Sequence, residues 1–247
     1  SSINFTSQAG AIGTESYVYS NGHRSEIKFG ATSVWKLSAE NDMGQPVSVI
    51  TGPLTRSYSF DEYGIPNGRR ASASNNRILQ NDTYTFNRSN GNLTARIDNT
   101  RGLSESFTYD NLNRLTRFAG GAVAYDVKGN ITQKEDVGNL FSYNTPNKPY
   151  AVSKVDASRK NAIPPRSQSV SYTSFERPST IAENGKEALF VYDLAGSRKK
   201  MQLKYSGGSI ELERYYLGDR YEADYKNSLD KQILYIGGDS YSAPAAY

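Results

Sequence analysis

The sequence predicts an all-β fold of repeated antiparallel β-hairpins joined into a curved or spiralling sheet. Three observations carry this. A short strand–turn–strand frame recurs along most of the 247 residues. Apolar residues alternate with polar ones over short stretches, and no stretch holds a helical period over three turns. Leu, Ile, Val and Phe make up only about a fifth of the chain, whereas Tyr occurs 19 times. Such a composition builds a thin, tyrosine-rich core, because each aromatic covers roughly 150–250 Å².

The frame is clearest from Tyr109 to Ile131. Tyr109-Asp110-Asn111-Leu112-Asn113-Arg114-Leu115 is followed, 16 positions later, by Tyr125-Asp126-Val127-Lys128-Gly129-Asn130-Ile131. The shared slots are aromatic, Asp, two free positions, Gly or Asn, polar, aliphatic. An Asp or Asn opening a turn bonds its own backbone two residues on. A Gly or Asn three residues later accepts φ > 0 and closes a hairpin with a bulge. The aromatic ends one strand and the aliphatic starts the next.

Other copies follow in register. Phe60, Asp61 and Gly64 form one, and Tyr192, Asp193 and Gly196 another. Tyr143, Asn144 and Asn147 carry Asn in both turn slots, while Phe86, Asn87 and Gly91 require one inserted residue. Asn41–Gly44 keeps the turn with Glu40 in the aromatic slot. Tyr172–Pro178 reads as the most degraded copy. Successive aromatics lie 16 to 29 residues apart, the spacing of a repeat architecture.

In chain order, residues 1–40 are strand-rich but atypical: Tyr17–Tyr19 runs into Asn21-Gly22, a hairpin signal, and Glu26–Phe29 and Ser33–Leu37 alternate. Residues 41–205 hold the repeats and 206–247 a post-repeat segment, within a single array over 1–247. Residues 66–80, with Pro66, Asn67-Gly68 and Asn75-Asn76, read as a loop. Val155–Gln168, with Pro164-Pro165, reads as an inserted loop, Ser228–Gln232 as a short helix, and Gly207-Gly208 and Gly237-Gly238 as hairpin turns.

These residues are similar to the YD-repeat, or RHS-repeat, family, whose hallmark is Tyr-Asp-x-x-Gly-Arg-Leu. Arg214–Glu222 and Tyr235–Asp239 resemble the segment that follows the repeats in bacterial members. The resemblance is strong from about Asp42 to Tyr247. It implies a long spiralling sheet that helps build a hollow shell, often around a toxic C-terminal segment, on a secreted or surface-exposed protein. No counterpart of the family's self-cleaving aspartate site is seen here. The expected partners are the remainder of the parent polypeptide and its cargo.

Chemistry beyond structure finds little support in the residues. The repeated carboxylates could serve glycoside hydrolysis or bind calcium, but the slot alternates Asp with Asn87 and Asn144, which a turn accepts and proton transfer does not. Two carboxylates gathered in one cleft would be the sign of an enzyme. His23 is the only histidine and Cys is absent, which excludes a His/Cys zinc site and a Cys nucleophile. No Gly-x-Ser-x-Gly elbow or phosphate loop occurs. The expectation is a non-enzymatic chain without cofactor or metal.

The sequence pI is about 9.0, yet basic residues gather only in short clusters such as Arg69-Arg70 and Arg198-Lys199-Lys200, so nucleic acid is not an expected partner. No apolar run reaches the roughly 20 residues of a membrane-spanning helix. The chain opens at Ser1 without a visible targeting signal and reads as an excised fragment. A glycan-binding adhesin, acting through a tyrosine-rich sheet face, is the alternative function. Near-uncharged stretches at Ile3–Phe5, Tyr17–Tyr19 and Ser240–Tyr247 lead to an expectation of open edges and self-association.

Overall fold

The computed structural model describes residues 1–7, 10–156, 167–205 and 207–247, and the described residues contain strands and turns but no helix. Strands β1 (Ser2–Ser7), β2 (Gly10–Ser20), β3 (His23–Phe29) and β4 (Thr32–Glu40) form an antiparallel meander. Asn21 (φ 50°) and Gly22 (φ 81°) both take positive φ between β2 and β3, the turn whose twist matches its flanking strands. β1 pairs with β2 only as far as Ser16, with Tyr17 N bonding Ser1 O, so among the described residues Val18 and Tyr19 pair with β3 alone.

After β5 (Pro46–Thr51), five strands pair in chain order: β6 (Leu54–Phe60), β7 (Pro66–Ala73), β8 (Ile78–Phe86), β9 (Leu93–Asp98) and β10 (Leu103–Ser106). Four shorter strands continue the pattern: β11 (Thr108–Tyr109), β12 (Leu115–Phe118), β13 (Gly121–Tyr125) and β14 (Ile131–Lys134). β15 (Leu140–Ser142) pairs with β16 (Lys154–Asp156). The last eight strands again pair in order: β17 (Gln168–Tyr172), β18 (Pro178–Glu183), β19 (Lys186–Tyr192), β20 (Arg198–Tyr205), β21 (Ile210–Leu217), β22 (Tyr221–Lys226), β23 (Ser228–Ile236) and β24 (Ala245–Ala246).

Four sequence expectations are corrected. Residues 66–73 are a strand, because Arg69 pairs across the sheet with Tyr58 on one side and Asp82 on the other, with an ion pair to Asp82 at 3.1 Å. The turn is confined to Ala73–Arg77, with Asn76 at φ 63°. Ser228–Gln232 belongs to β23 and pairs with β22 rather than forming a helix. Val155 lies in β16 and Gln168 in β17; residues 157–166 of the expected loop lie outside the described residues. Gly237-Gly238 opens the connection from Ile236 to Ala245 and is not a tight hairpin.

The described residues fall into two compact units. One comprises Ser1–Leu37, Ile50–Gly52 and Arg166–Tyr247; the other comprises Ser38–Val49 and Pro53–Pro165. In the first, Ile27, Leu234 and Ile236 are buried, with Phe5, Ile12, Tyr17, Phe29, Val34, Trp35, Tyr221 and Ala245 around them. The N-terminal meander thus packs on the C-terminal strands of the same unit. Tyr247 sets its ring 5.0 Å from that of Phe29 and pairs its backbone with Leu234. In the second unit Val49, Ala71 and Val123 are buried, each from a different strand.

Candidate functional site: the turn ladder

Six turns of the frame share one hydrogen-bond pattern, which the turns Ala73–Arg77 and Tyr205–Ser209 also show. The first residue, Asn41, Asp61, Asp110, Asp126, Thr173 or Asp193, donates its N–H to the carbonyl four residues on, at 2.8–3.0 Å. Its own carbonyl accepts from the residue three on, at 2.9–3.1 Å. That residue takes positive φ in every case: Gly44 (74°), Gly64 (78°), Asn113 (58°), Gly129 (88°), Glu176 (65°) and Gly196 (77°). The first side chain completes the cap. Asp126 Oδ1 accepts from Lys128 N at 2.8 Å and Asn130 N at 2.9 Å; Asp61 and Asp110 repeat both contacts, and Asp193 accepts from Ser197 N at 2.8 Å. Asn41 makes the same pair of bonds with its amide oxygen.

A bulge accompanies five of these turns and the Asn87–Asn92 turn. The pairing register slips by one residue immediately before Phe60, Phe86, Tyr109, Tyr125, Tyr172 and Tyr192. The extra residue on the return strand sharpens its twist, as bulges do.

Two copies depart from their sequence reading. Tyr172–Pro178 holds the complete turn: Thr173 Oγ1 accepts from Arg177 N at 3.1 Å, as a carboxylate does elsewhere. Tyr143–Pro149 has shifted by one residue, with Lys148 N bonding Thr145 O at 3.1 Å, while Asn144 N turns to Ser153 Oγ. Asn147 still has φ 59°. Asn87–Asn92 carries one extra residue; Gly91 N reaches Asn87 O at 2.8 Å.

The rungs are tied to one another. Tyr109 Oη donates to Leu93 O, Tyr125 Oη to Leu115 O, Tyr143 Oη to Ile131 O and Tyr192 Oη to Pro178 O, at 2.8–2.9 Å. In each case the acceptor is the first strand residue after the preceding turn. The residue following the turn's φ-positive position reaches forward. Gln45 donates to Gly64 O at 3.0 Å, Asn92 to Asn113 Oδ1 at 2.9 Å, and Asn130 Nδ2 to Pro149 O at 3.1 Å. Arg114 binds Asp110 at 2.7 Å and lays its guanidinium 4.7 Å from the Tyr125 ring centroid. Arg177 does the same over Tyr192 at 5.9 Å. These linking residues were invisible as a class in sequence, where their slot read only as polar.

Electrostatics agree with capping. The backbone N–H of Arg114 and its guanidinium hold Asp110 below the usual carboxylate range, as Ser197 N–H and Lys199 do for Asp193. Burial pushes Asp126 up, but the bonds from Asn130 and Lys128 outweigh it and leave the group lowered. Among the described residues no three His, Cys, Asp or Glu side chains form a group able to hold a metal ion.

A separate polar basin of about 990 Å³ lies on one face of β6–β10. Asp82 and Asp98 stand opposite each other there. Burial raises Asp82, yet donors from Arg69, Tyr84 and Gln80 pull it below its ordinary value. With Glu105, which accepts from Arg96 Nε at 2.8 Å, the basin does gather carboxylates in one cleft, the arrangement named above as the sign of an enzyme. Asp98 Oδ1 caps its own turn by accepting from Thr100 N and Arg101 N. Within the basic clusters Arg69 is ion-paired with Asp82, Lys199 with Asp193 at 3.1 Å, and Lys200 with Glu213 at 2.6 Å.

One polar cluster lies outside the repeats. Glu15 is fully buried and accepts from Tyr17 Oη, Arg220 Nη2 and, at 2.7 Å, Gly237 N. It joins residues 205 and 222 positions apart within the first unit. Burial raises its carboxyl, and these donors draw it below its ordinary value.

Fold and ladder together define a class: an all-β scaffold of tyrosine–aspartate repeats. A family model, the Teneurin YD-shell, matches residues 14–158, more than half the chain, and the chain belongs to this family. The match begins within β2, so part of the atypical N-terminal region is included. No curated protein matches significantly. Among solved structures, the Photorhabdus luminescens Tc holotoxin pore carrying a TccC3 mutation has a similar fold, with TM-score 0.53 and 12% identity over 96% of this chain. The chain spans 14% of the length of that structure's chain.

Proposed function

We propose that the chain is a section of the β-sheet wall of a secreted or surface-exposed RHS-type protein, enclosing or presenting another segment of the parent polypeptide, such as a C-terminal toxin. The observation that supports this is the ladder, in which side chains bind neighbouring turns within each unit in addition to the strand pairing. A wall needs such cross-ties because a sheet with few buried residues gains little from a core. Limited proteolysis of the parent protein tests the reading. The enclosed segment is expected to resist protease, and Arg114→Ala/Asn130→Ala, which cuts two rung-to-rung links, is expected to hasten its cleavage. A segment cleaved at the same rate in both proteins would sink the proposal.

The alternative, glycan binding through a tyrosine-rich face, has one surface in its favour: the β6–β10 basin carries Tyr58 and Tyr84 among Arg56, Arg69, Arg96 and Gln80. A glycan array decides it, with loss of signal in Tyr58→Ala/Tyr84→Ala as the supporting result. Self-association through β1, whose sole described strand partner is β2, is read by light scattering over a concentration series; a constant 27.3 kDa particle would contradict it.

A further inference from the structure

The first unit contains a cleft of about 890 Å³, within the size range of ligand sites, that the repeat ladder does not use. Its floor is Ala223 and Leu234, 3% and 2% exposed. Phe5 and Ile12 from β1–β2 line it together with Leu217 of β21 and Leu229 of β23. These two leucines are 62% and 45% exposed. Tyr215 and Tyr225 add an edge-to-face pair, with ring centroids 5.6 Å apart.

Charge decides the class of occupant. Glu213 in the lining is already bound to Lys200 at 2.6 Å, and Arg220 is held by Glu15. Neither is available to neutralise a charged ligand, and burying an uncompensated charge is strongly unfavourable. Hydrogen-bonding capacity is small: Thr6 of β1 supplies one hydroxyl, and the rest comes from tyrosines and Gln232 on β21–β23. Tyr221 Oη donates to Gln232 Oε1 at 2.5 Å, which leaves the Gln232 amide nitrogen as a donor; among the described residues neither it nor the Tyr225 hydroxyl makes a hydrogen bond. An aliphatic floor gives no partners to a ring of sugar hydroxyls, which disfavours a saccharide.

We propose that this cleft binds a neutral, ring-bearing amphipathic molecule, its apolar body against Phe5, Ile12, Ala223 and Leu234 and one hydrogen-bonding end at Gln232 and Tyr225. The site is independent of the wall function. Titration of the intact chain with Nile red, a neutral ring dye with a carbonyl end, is the test. Saturable one-to-one binding with blue-shifted emission is expected. Leu229→Glu, which places a charge in the lining at a half-exposed position, should weaken binding at least tenfold, and Gln232→Leu severalfold. Leu194→Glu, at a fully exposed turn tip, should leave it unchanged. Circular dichroism reads the fold of each variant, and Gln232→Leu carries the test if Leu229→Glu fails to fold. Absence of saturable binding, equal binding by Leu229→Glu in its folded state, emission that follows light scattering, or displacement of the dye by cellohexaose would each overturn the proposal.

Discussion

Asn130→Ala is the sharpest test of the rung-to-rung ties. Asn130 is 7% exposed. Its Nδ2 donates to Asp126 Oδ2 at 3.0 Å within its own turn and to Pro149 O at 3.1 Å beyond it. Alanine deletes both bonds and keeps the turn, because the backbone N–H of residue 130 still reaches Asp126 Oδ1 and its carbonyl still accepts from Asp126 N. Each bond contributes about 0.5–1.5 kcal/mol net, so the loss is about 1–3 kcal/mol. At roughly 2–4 °C per kcal/mol for a chain of this size, the melting point falls by about 2–12 °C. Urea unfolding followed by far-UV circular dichroism measures the loss directly, with Lys128→Ala, an exposed neighbour, as the control expected to stay within about 0.5 kcal/mol. If Asn130→Ala unfolds with the control, the forward tie carries no energy and the turns are independent hairpins.

Other outcomes follow from the same geometry. Glu15→Ala strands Arg220 without its carboxylate in the first unit, and chemical unfolding should show a loss of about 3–5 kcal/mol; a loss below about 1 kcal/mol would remove Glu15 from the packing of the N-terminal meander. Gly129→Val forces a β-branched residue to φ 88°, at a cost of about 1–3 kcal/mol although nothing lies within 4 Å of the added carbon; thermal melts equal to wild type would refute the turn conformation. Asp110 and Asp193 have depressed carboxyl pKa values. Their stabilisation is therefore complete above the ordinary carboxylate pKa of about 4 and disappears as pH falls through the lower folded values. Unfolding midpoints should fall below about pH 4, and Asp110→Asn should shrink that fall; an unchanged acid profile in the variant would contradict the capping role.

Local chemistry in the chain announces much of this fold. Asp126 and Gly129 are legible because a carboxylate two residues before an open N–H, and a glycine at positive φ, leave few alternatives to a turn. Thr173 and Glu176 are not, since a hydroxyl can replace the cap and the surrounding sheet can hold a glutamate at φ 65° against its preference. Residues 66–73 hide behind Pro66, Gly68 and two arginines; what makes them a strand is a register that brings Arg69 to Asp82, and register is a property of pairing, not of either segment. Gly68 even suits the sheet, as an added Cβ would meet Ser59 Oγ at 2.5 Å. Glu15 with Arg220 has no local signal at all, because only the folded unit brings them together.

Hydrogen exchange at the turn amides tests the ladder as a continuous scaffold most directly. Amides in exposed hairpin turns ordinarily exchange fast. Here Asn113 and Gly129 donate to Asp110 O and Asp126 O at 3.0 and 3.1 Å, and Asn130 N to Asp126 Oδ1 at 2.9 Å. The account predicts that these amides are protected to a degree comparable with the neighbouring strand amides of β13 and β14, and that Asn130→Ala lowers protection in its own turn and in the Tyr143–Pro149 segment together. Fast exchange at Asn113, Gly129 and Asn130 in the wild-type chain, with slow strands on either side, would contradict it.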